Sequence, residues 1–295
     1  MKILKYLIVG SFLFSSFNIF SQNFELDTNK PLWLRIDNAI QKIESGESGE
    51  AVYLFRKILE TNFNNPESEM WLGLIFDKEN EYELAVKYLE SALEHKNQLV
   101  ILEDQYRILY KLAEIYYKLG DFITYKDYLN KIIEYSDEQI LNSNLKYVML
   151  NVLKKRGFDK FIELYRPQVR KSLKAYSLLG KYYYDTEKCN LAVEYLMQST
   201  GSIISISIEQ FKVQDPYYSF LIDNSTDKSL EHIFDLINQY SNTRDFIQNN
   251  SFYEYFYYLG KALINSGHKQ SGSYILEKIY IRPESGKWGY LSNPF

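Results

Sequence analysis

The chain has 295 residues, 46% hydrophobic and 24% charged, which supports a sizeable core and excludes both a disordered chain and a multi-span membrane protein. With 34 basic against 38 acidic side chains and no Lys/Arg-rich cluster, it lacks the basic surface that phosphate neutralisation requires, so nucleic acid is not an expected partner. The 28 tyrosines, together with only 13 glycines and 6 prolines, point to long regular segments rather than a loop-rich sandwich.

The N-terminal stretch reads differently from the rest. Lys2 and Lys5 precede an almost wholly apolar run from Tyr6 to Phe14, followed by Ser15, Ser16 and Ser21. This is the layout of a secretory signal peptide over 1–21, cut after Ser21 to leave Gln22. The expectation is therefore an exported protein, periplasmic or secreted, whose mature chain has 32 basic and 38 acidic residues and a net charge of −6. The alternative is an uncleaved anchor, because Ile3 to Phe20 is about long enough to cross a bilayer as a helix; that segment would be the chain's one tie to a membrane. Cys189 is the single cysteine, so no internal disulfide is possible and the fold must rest on its core.

Beyond the leader the chain repeats itself. Residues 36–62 carry a degenerate copy with Ala39, Gly46, Ala51, Phe55 and Ile58. A clearer copy follows with Leu72-Gly73, Phe76, Asn80, Ala85, Leu89 and Ala92, after which the connector holding Asn97 to Glu103 is long. The best-formed copy has Leu112-Ala113, Tyr116, Gly120, Tyr128-Leu129 and Ile132-Ile133. Residues 143–170 retain a helix, Gly157 and a second helix ending near Pro167. Another full copy has Tyr176, Leu179-Gly180, Tyr183, Ala192, Leu196 and Ser199.

The stretch 201–250 departs most from the pattern. It opens on SIISISI, where Ile204, Ile206 and Ile208 alternate as in a strand, yet Ile204, Ile208 and Phe211 also share a helix face. A break at Asp215-Pro216 and an amphipathic helix over Ser229 to Tyr240 favour a distorted helical pair over a small β insertion. The last copy, within 251–282, has Phe256, Leu259-Gly260, Leu263, Gly267, Gly272 and Leu276. The tail 283–295, with Trp288, Tyr290 and Phe295, is expected to cap it.

These copies resemble the tetratricopeptide repeat: an aromatic, Leu-Gly, a tyrosine, a small residue, an aromatic or leucine, then a proline. Small residues at Gly73, Ala113, Gly180 and Gly260 on the first helix, and at Ala85 and Ala192 on the second, allow close antiparallel packing. Gly120, Gly267 and Asn80 suit turns needing a positive backbone angle. The resemblance implies an all-α, right-handed α-solenoid of about six helical pairs, spanning 22–200 and 251–282 around the irregular segment.

It also implies a concave face lined by the first helices of each pair. Candidate partner-binding residues on it are Met70 and Leu74; Arg107, Tyr110, Glu114 and Tyr117; Lys174, Lys181 and Tyr184; and Tyr257 and Lys261. Tyrosines among charges suit a peptide or a partner helix, because each ring gives contact area at low entropic cost. Packing between helices is the alternative role for Tyr117, Tyr184 and Tyr257. Family members that clamp a C-terminal carboxylate use asparagines where Leu74, Glu114, Lys181 and Lys261 stand, so that ligand is not expected.

No catalytic constellation emerges. His95, His232 and His268 lie in unrelated segments without ligand spacing, and no phosphate loop, nucleophile elbow or zincin motif occurs. Neither a cofactor nor a metal is expected, and the chain reads as a non-enzymatic scaffold or adaptor of the cell envelope, with a protein or peptide partner. A glycan-binding or enzyme-accessory role for the same tyrosine-rich groove is the rival.

Overall fold

The structure is a computed structural model that describes residues 30–137, 143–164, 171–215 and 229–293. The signal segment 1–21, Pro167, Pro216 and Phe295 lie outside them. Every regular element among the described residues is helical: α1 Leu32–Glu44, α2 Ser48–Thr61, α3 Pro66–Lys78, α4 Tyr82–Glu94, α5 Asp104–Lys118, α6 Phe122–Asp137, α7 Ser143–Arg156, α8 Phe158–Leu164, α9 Leu173–Asp185, α10 Cys189–Gln214, α11 Leu230–Ile237, α12 Ser241–Asn249, α13 Phe252–Asn265, α14 Lys269–Tyr280 and α15 Lys287–Leu291, with short 3-10 turns at Lys96–Gln98 and Pro283–Ser285. None of the described helices is long and apolar enough to cross a membrane. The chain divides into two compact units, 1–102 and 103–295.

The same hairpin recurs in α1/α2, α3/α4, α5/α6, α9/α10 and α13/α14, and its register follows from one small residue on the first helix. A Cβ added to Gly73 would lie 2.5 Å from Cγ of Leu89, one on Gly180 2.5 Å from Cγ of Leu196, and one on Gly260 2.8 Å from Cδ2 of Leu276. Each pair is sixteen positions apart, as are buried Ala113 and Leu129 and buried Ala39 and Phe55. The small residue thus lets the second helix settle its leucine or phenylalanine directly onto the first helix's backbone. This shared geometry makes the hairpins tetratricopeptide-like.

The turns are equally uniform. Seven positions after each small residue the backbone is left-handed: Gly46 (φ 83), Asn80 (φ 63), Gly120 (φ 77), Glu187 (φ 59) and Gly267 (φ 90). That residue's N–H and the next one's reach back to the helix end, as when Glu187 donates to the Tyr184 carbonyl at 3.1 Å and Lys188 to that of Tyr183 at 2.8 Å. These are the paired bonds of a Schellman cap. Four of the five turns hold Gly or Asn, whereas Glu187 carries a Cβ that clashes in this conformation. Replacing Glu187 with Gly should therefore raise stability by about 0.5–1 kcal/mol, less than the full relief because glycine also loosens the unfolded chain. Chemical denaturation should show a higher midpoint at unchanged slope.

In unit 1, α1 to α4 enclose Ala39, Phe55, Ile58, Leu72, Ala85 and Leu89, all at 0% exposure. The start of α3 is set by Asn65, whose side chain accepts from the Ser68 N–H, followed by Pro66 in the first turn. Met70, expected on the inner face, is 2% exposed and belongs to the core.

Unit 2 is built around α10. Its 26 residues include SIISISI, which is helical and not a strand. Ser202, Ser205 and Ser207 are buried, yet their hydroxyls donate to the carbonyls of Gln198, Gly201 and Ile203 at 2.8–3.0 Å. Serine at these positions keeps the helix slim and self-satisfied, so the central stretch of α10 can be packed on nearly every side. Alternation of Ile and Ser, a strand signature at the surface, here marks a helical stretch with almost no solvent face.

Stacking order departs from chain order in this unit. The α9/α10 hairpin packs on α6, while α7 and α8, which carry the degenerate copy, instead pack against α14 and α11. Met149, Leu153, Phe158 and Phe161 there join Leu196, Ile204, Phe234, Phe252 and Phe256 in one core. Asp159 ties this side together: its carboxylate accepts from the Leu230 N–H at 2.9 Å and from the Tyr274 hydroxyl at 2.7 Å. After α14, the short α15 lays Trp288 against Tyr257 and Tyr258, with ring centroids 5.3 and 6.0 Å away.

Candidate functional site

Because α7 and α8 pack elsewhere, α5, α6 and α9 come together and leave a groove of about 550 Å³. From α5, positions 110, 114 and 117 fall on one helix face and bring Tyr110, Glu114 and Tyr117 to it. From α6 come Phe122 and Tyr125, and from α9 come Lys174, Leu178, Lys181, Tyr182 and Asp185, with Thr186 just beyond. Four rings form a closed circuit at one end. Tyr117 lies 5.6 Å from Phe122 and 5.1 Å from Tyr125, and Tyr182 lies 5.7 Å from Phe122 and 6.1 Å from Tyr125.

The members of this wall differ in burial. Tyr117 is 53% exposed and Phe122 41%, whereas Tyr125 is 4% exposed. Burial pushes the Tyr125 phenol far above its ordinary value, and the neighbouring Tyr117 and Tyr182 phenols add to the shift. Tyr125 therefore stays neutral throughout the physiological range, and the wall it backs is large and apolar, with hydroxyls on its three tyrosines.

Of the four charges on the groove, Glu114 and Lys181 are paired with an opposite charge. Burial works to raise the Glu114 carboxyl, but Lys111 at 2.9 Å and Lys118 at 3.0 Å outweigh it and hold it below its ordinary value. Lys181 pairs with Glu254 of α13 at 2.6 Å and lies 5.2 Å from the Tyr258 ring centroid. The Lys174 ammonium sits 5.3 Å from the centre of Tyr110.

Of the nine residues singled out on α5, α9 and α13, five line this groove: Tyr110, Glu114, Tyr117, Lys174 and Lys181. Arg107 is exposed on α5 and lies outside the lining. Tyr184 and Tyr257 are half-buried among other rings, Tyr184 edge-on to Tyr258 at 5.7 Å and Tyr257 against Tyr258 at 5.4 Å, and Lys261 is half-buried on α13.

Tyr110 has a second task. Its hydroxyl donates to the Lys171 carbonyl at 2.9 Å and accepts from the Ala175 N–H at 3.0 Å, so it holds the entry to α9 against α5. Tyr110→Phe should cost about 1–3 kcal/mol of stability, because it strands the Ala175 N–H in a part-buried place. Thermal unfolding of Tyr110→Phe beside Tyr117→Phe checks this, since the Tyr117 hydroxyl has no such bond among the described residues and its loss should cost little.

Sequence reasoning passed over Phe122, Tyr125, Leu178, Tyr182 and Asp185. A signal for Tyr125 was present. Twelve positions after the small residue the other hairpins have Ala51, Ala85, Ala192 and Gly272, and only here does an aromatic replace them. Among the described residues no group of three or more His, Cys, Asp or Glu is arranged to hold a metal.

No family model matches the chain. An uncharacterized protein of Treponema pallidum (strain Nichols) is 26% identical over 144 residues, 48% of this chain, and the match spans 38% of that protein's length. Among solved structures, the MamA protein superimposes with a TM-score of 0.44 at 15% identity, covering 84% of this chain and 88% of that one. A putative kinesin light chain of Podosopora anserina with nearly identical TPR-like repeats gives 0.41 at 15% identity, covering 84% and 92%. At these scores the tetratricopeptide-like character of the chain rests on its own hairpins, with their sixteen-residue register and their shared left-handed turn.

Proposed function

We propose that the chain is an exported scaffold or adaptor that acts by binding, and that the groove between α5, α6 and α9 holds a segment of a partner protein. The observation that carries this is the four-ring wall of Tyr117, Phe122, Tyr125 and Tyr182, half of it exposed around an open groove. A ring exposed beside an open groove is an anchor awaiting a counterpart, since aromatic anchors supply most of the energy at interfaces. Two acidic and two basic side chains on the groove give a charge of mixed sign, which suits a protein segment better than a phosphate-bearing ligand.

Tyr117→Ala with Phe122→Ala is the test. These two rings are the exposed half of the wall, so the fold should survive their loss while a partner co-purifying from the native envelope fraction is lost from the double variant. Retention of every partner by a folded double variant would move the binding surface elsewhere, and enrichment of glycan in place of protein would favour the rival role. Export is read from Lys2, Lys5, the apolar run and Ser21, and is tested separately. The intact mass of the native protein should lack residues 1–21, while Met1 still attached in a membrane pellet would replace secretion by anchoring.

A further inference from the structure

Two charges on α9 stand against the helix's own electrostatics. A helix carries partial positive charge at its N-terminus and partial negative charge at its C-terminus. Lys174 lies in the first turn of α9 and Asp185 is its last residue, with no acidic residue in the first turn and no basic one in the last. Both side chains are therefore where the helix dipole disfavours them, and both line the groove. They are also the two groove charges without an ion-pair partner among the described residues, while Glu114 and Lys181 have one.

Eleven positions bring a helix back to within about 20° of the same face, so Lys174, Leu178, Lys181, Tyr182 and Asp185 run along one stripe about 16 Å long. The side-chain charges and the dipole add in the same sense. One end of the groove is positive, the other negative, and the wall near Asp185 is aromatic. Tyr182 there already carries the Lys126 ammonium 5.3 Å from its centre, although Lys126 does not line the groove, which shows that rings of this wall accept a cation.

We propose that the groove is electrically polar along α9 and receives an extended segment of a partner protein. That segment carries an acidic residue at the Lys174 end and a basic residue at the Asp185 end, with apolar or aromatic side chains between. At about 3.3 Å per residue, 16 Å corresponds to about five positions between the two charges. The inference rests on the groove being the binding site, and it adds the pattern that the bound segment must present. It also explains why α9 keeps a lysine and an aspartate that its own stability would exchange.

The probe is a displayed library of random octapeptides selected on the immobilised full chain, with three variants in parallel: Tyr117→Ala, the single change Asp185→Asn, and the swap Lys174→Glu with Asp185→Lys. The swap puts each charge where the dipole favours it, which offsets the lost contact of Lys174 with the Tyr110 ring, and a melting curve of every variant confirms that it is folded before selection. The expected result is enrichment of peptides with acidic and basic residues about five positions apart, tenfold or more weaker binding to Asp185→Asn, and enrichment of the inverse charge order by the swap. Peptides that need Tyr117 but show no charge spacing, or bind Asp185→Asn unchanged, overturn the polarity and leave the groove as the site. No enrichment, or enrichment indifferent to Tyr117→Ala, overturns the polarity together with the groove.

Discussion

Gly272→Ala is expected to destabilise the protein by about 3 kcal/mol, in the upper part of the overpacking range, and to lower the melting temperature of its unit by about 6–12 °C. A Cβ at this position would collide with the Gly260 carbonyl oxygen and lie 2.9 Å from the Ile264 nitrogen. Both are backbone atoms of α13, so no side-chain rotation relieves the clash, and α13 and α14 must separate. The contrast is Gly49→Ala in the first turn of α2, where an added Cβ meets nothing within 4 Å. There the same substitution should stabilise by about 0.5–1 kcal/mol through helix propensity and a stiffer unfolded chain. Thermal and chemical denaturation of the two variants side by side separates close approach from propensity. Equal effects of the same sign would mean that α13 and α14 are not in this register.

The glycines, alanines and turn residues that set this register are local signals, which is why the hairpins were legible in the sequence. A small residue followed seven positions later by Gly or Asn marks one turn of chain, and its meaning does not depend on anything distant. The exception at Glu187 shows the limit: the turn is imposed there by the hairpin around it, not by the residue, so the sequence carries no mark of it. SIISISI was open between two readings because burial on all faces erases the period that separates helix from strand. The groove was partly legible for a related reason. Helical periodicity places Tyr110, Glu114 and Tyr117 on one face, but nothing local says that α9 rather than α7 packs beside α6. That depends on the long-range fit of Phe158 and Phe161 into the core around Phe256, so Tyr182 and Asp185 emerge as groove residues only in three dimensions.

Tyr125→Ala would restore the small residue that the other hairpins have at this position, yet it is expected to destabilise by about 3 kcal/mol instead of relieving the packing. The ring is 4% exposed and packs against Tyr117 and Tyr182, so its removal opens a void behind the wall and loosens both neighbours. Tyr125→Phe preserves the ring and isolates the hydroxyl. Burial raises the folded-state phenol above its unfolded value of about 10, so below pH 10 both states hold the proton and the group contributes no pH dependence. Above pH 10 the unfolded chain releases the proton while the folded one keeps it, and stability falls as pH rises toward the folded value. One such proton accounts for up to about 1.4 kcal/mol per pH unit, and with the unfolded phenol half ionised at pH 10 the parent should lose about 1 kcal/mol more than Tyr125→Phe between pH 10 and 11. Urea titrations at pH 8, 10 and 11 measure it. Parallel decline in the two proteins would place the Tyr125 hydroxyl in water and reopen the geometry of the wall against which a partner is proposed to dock.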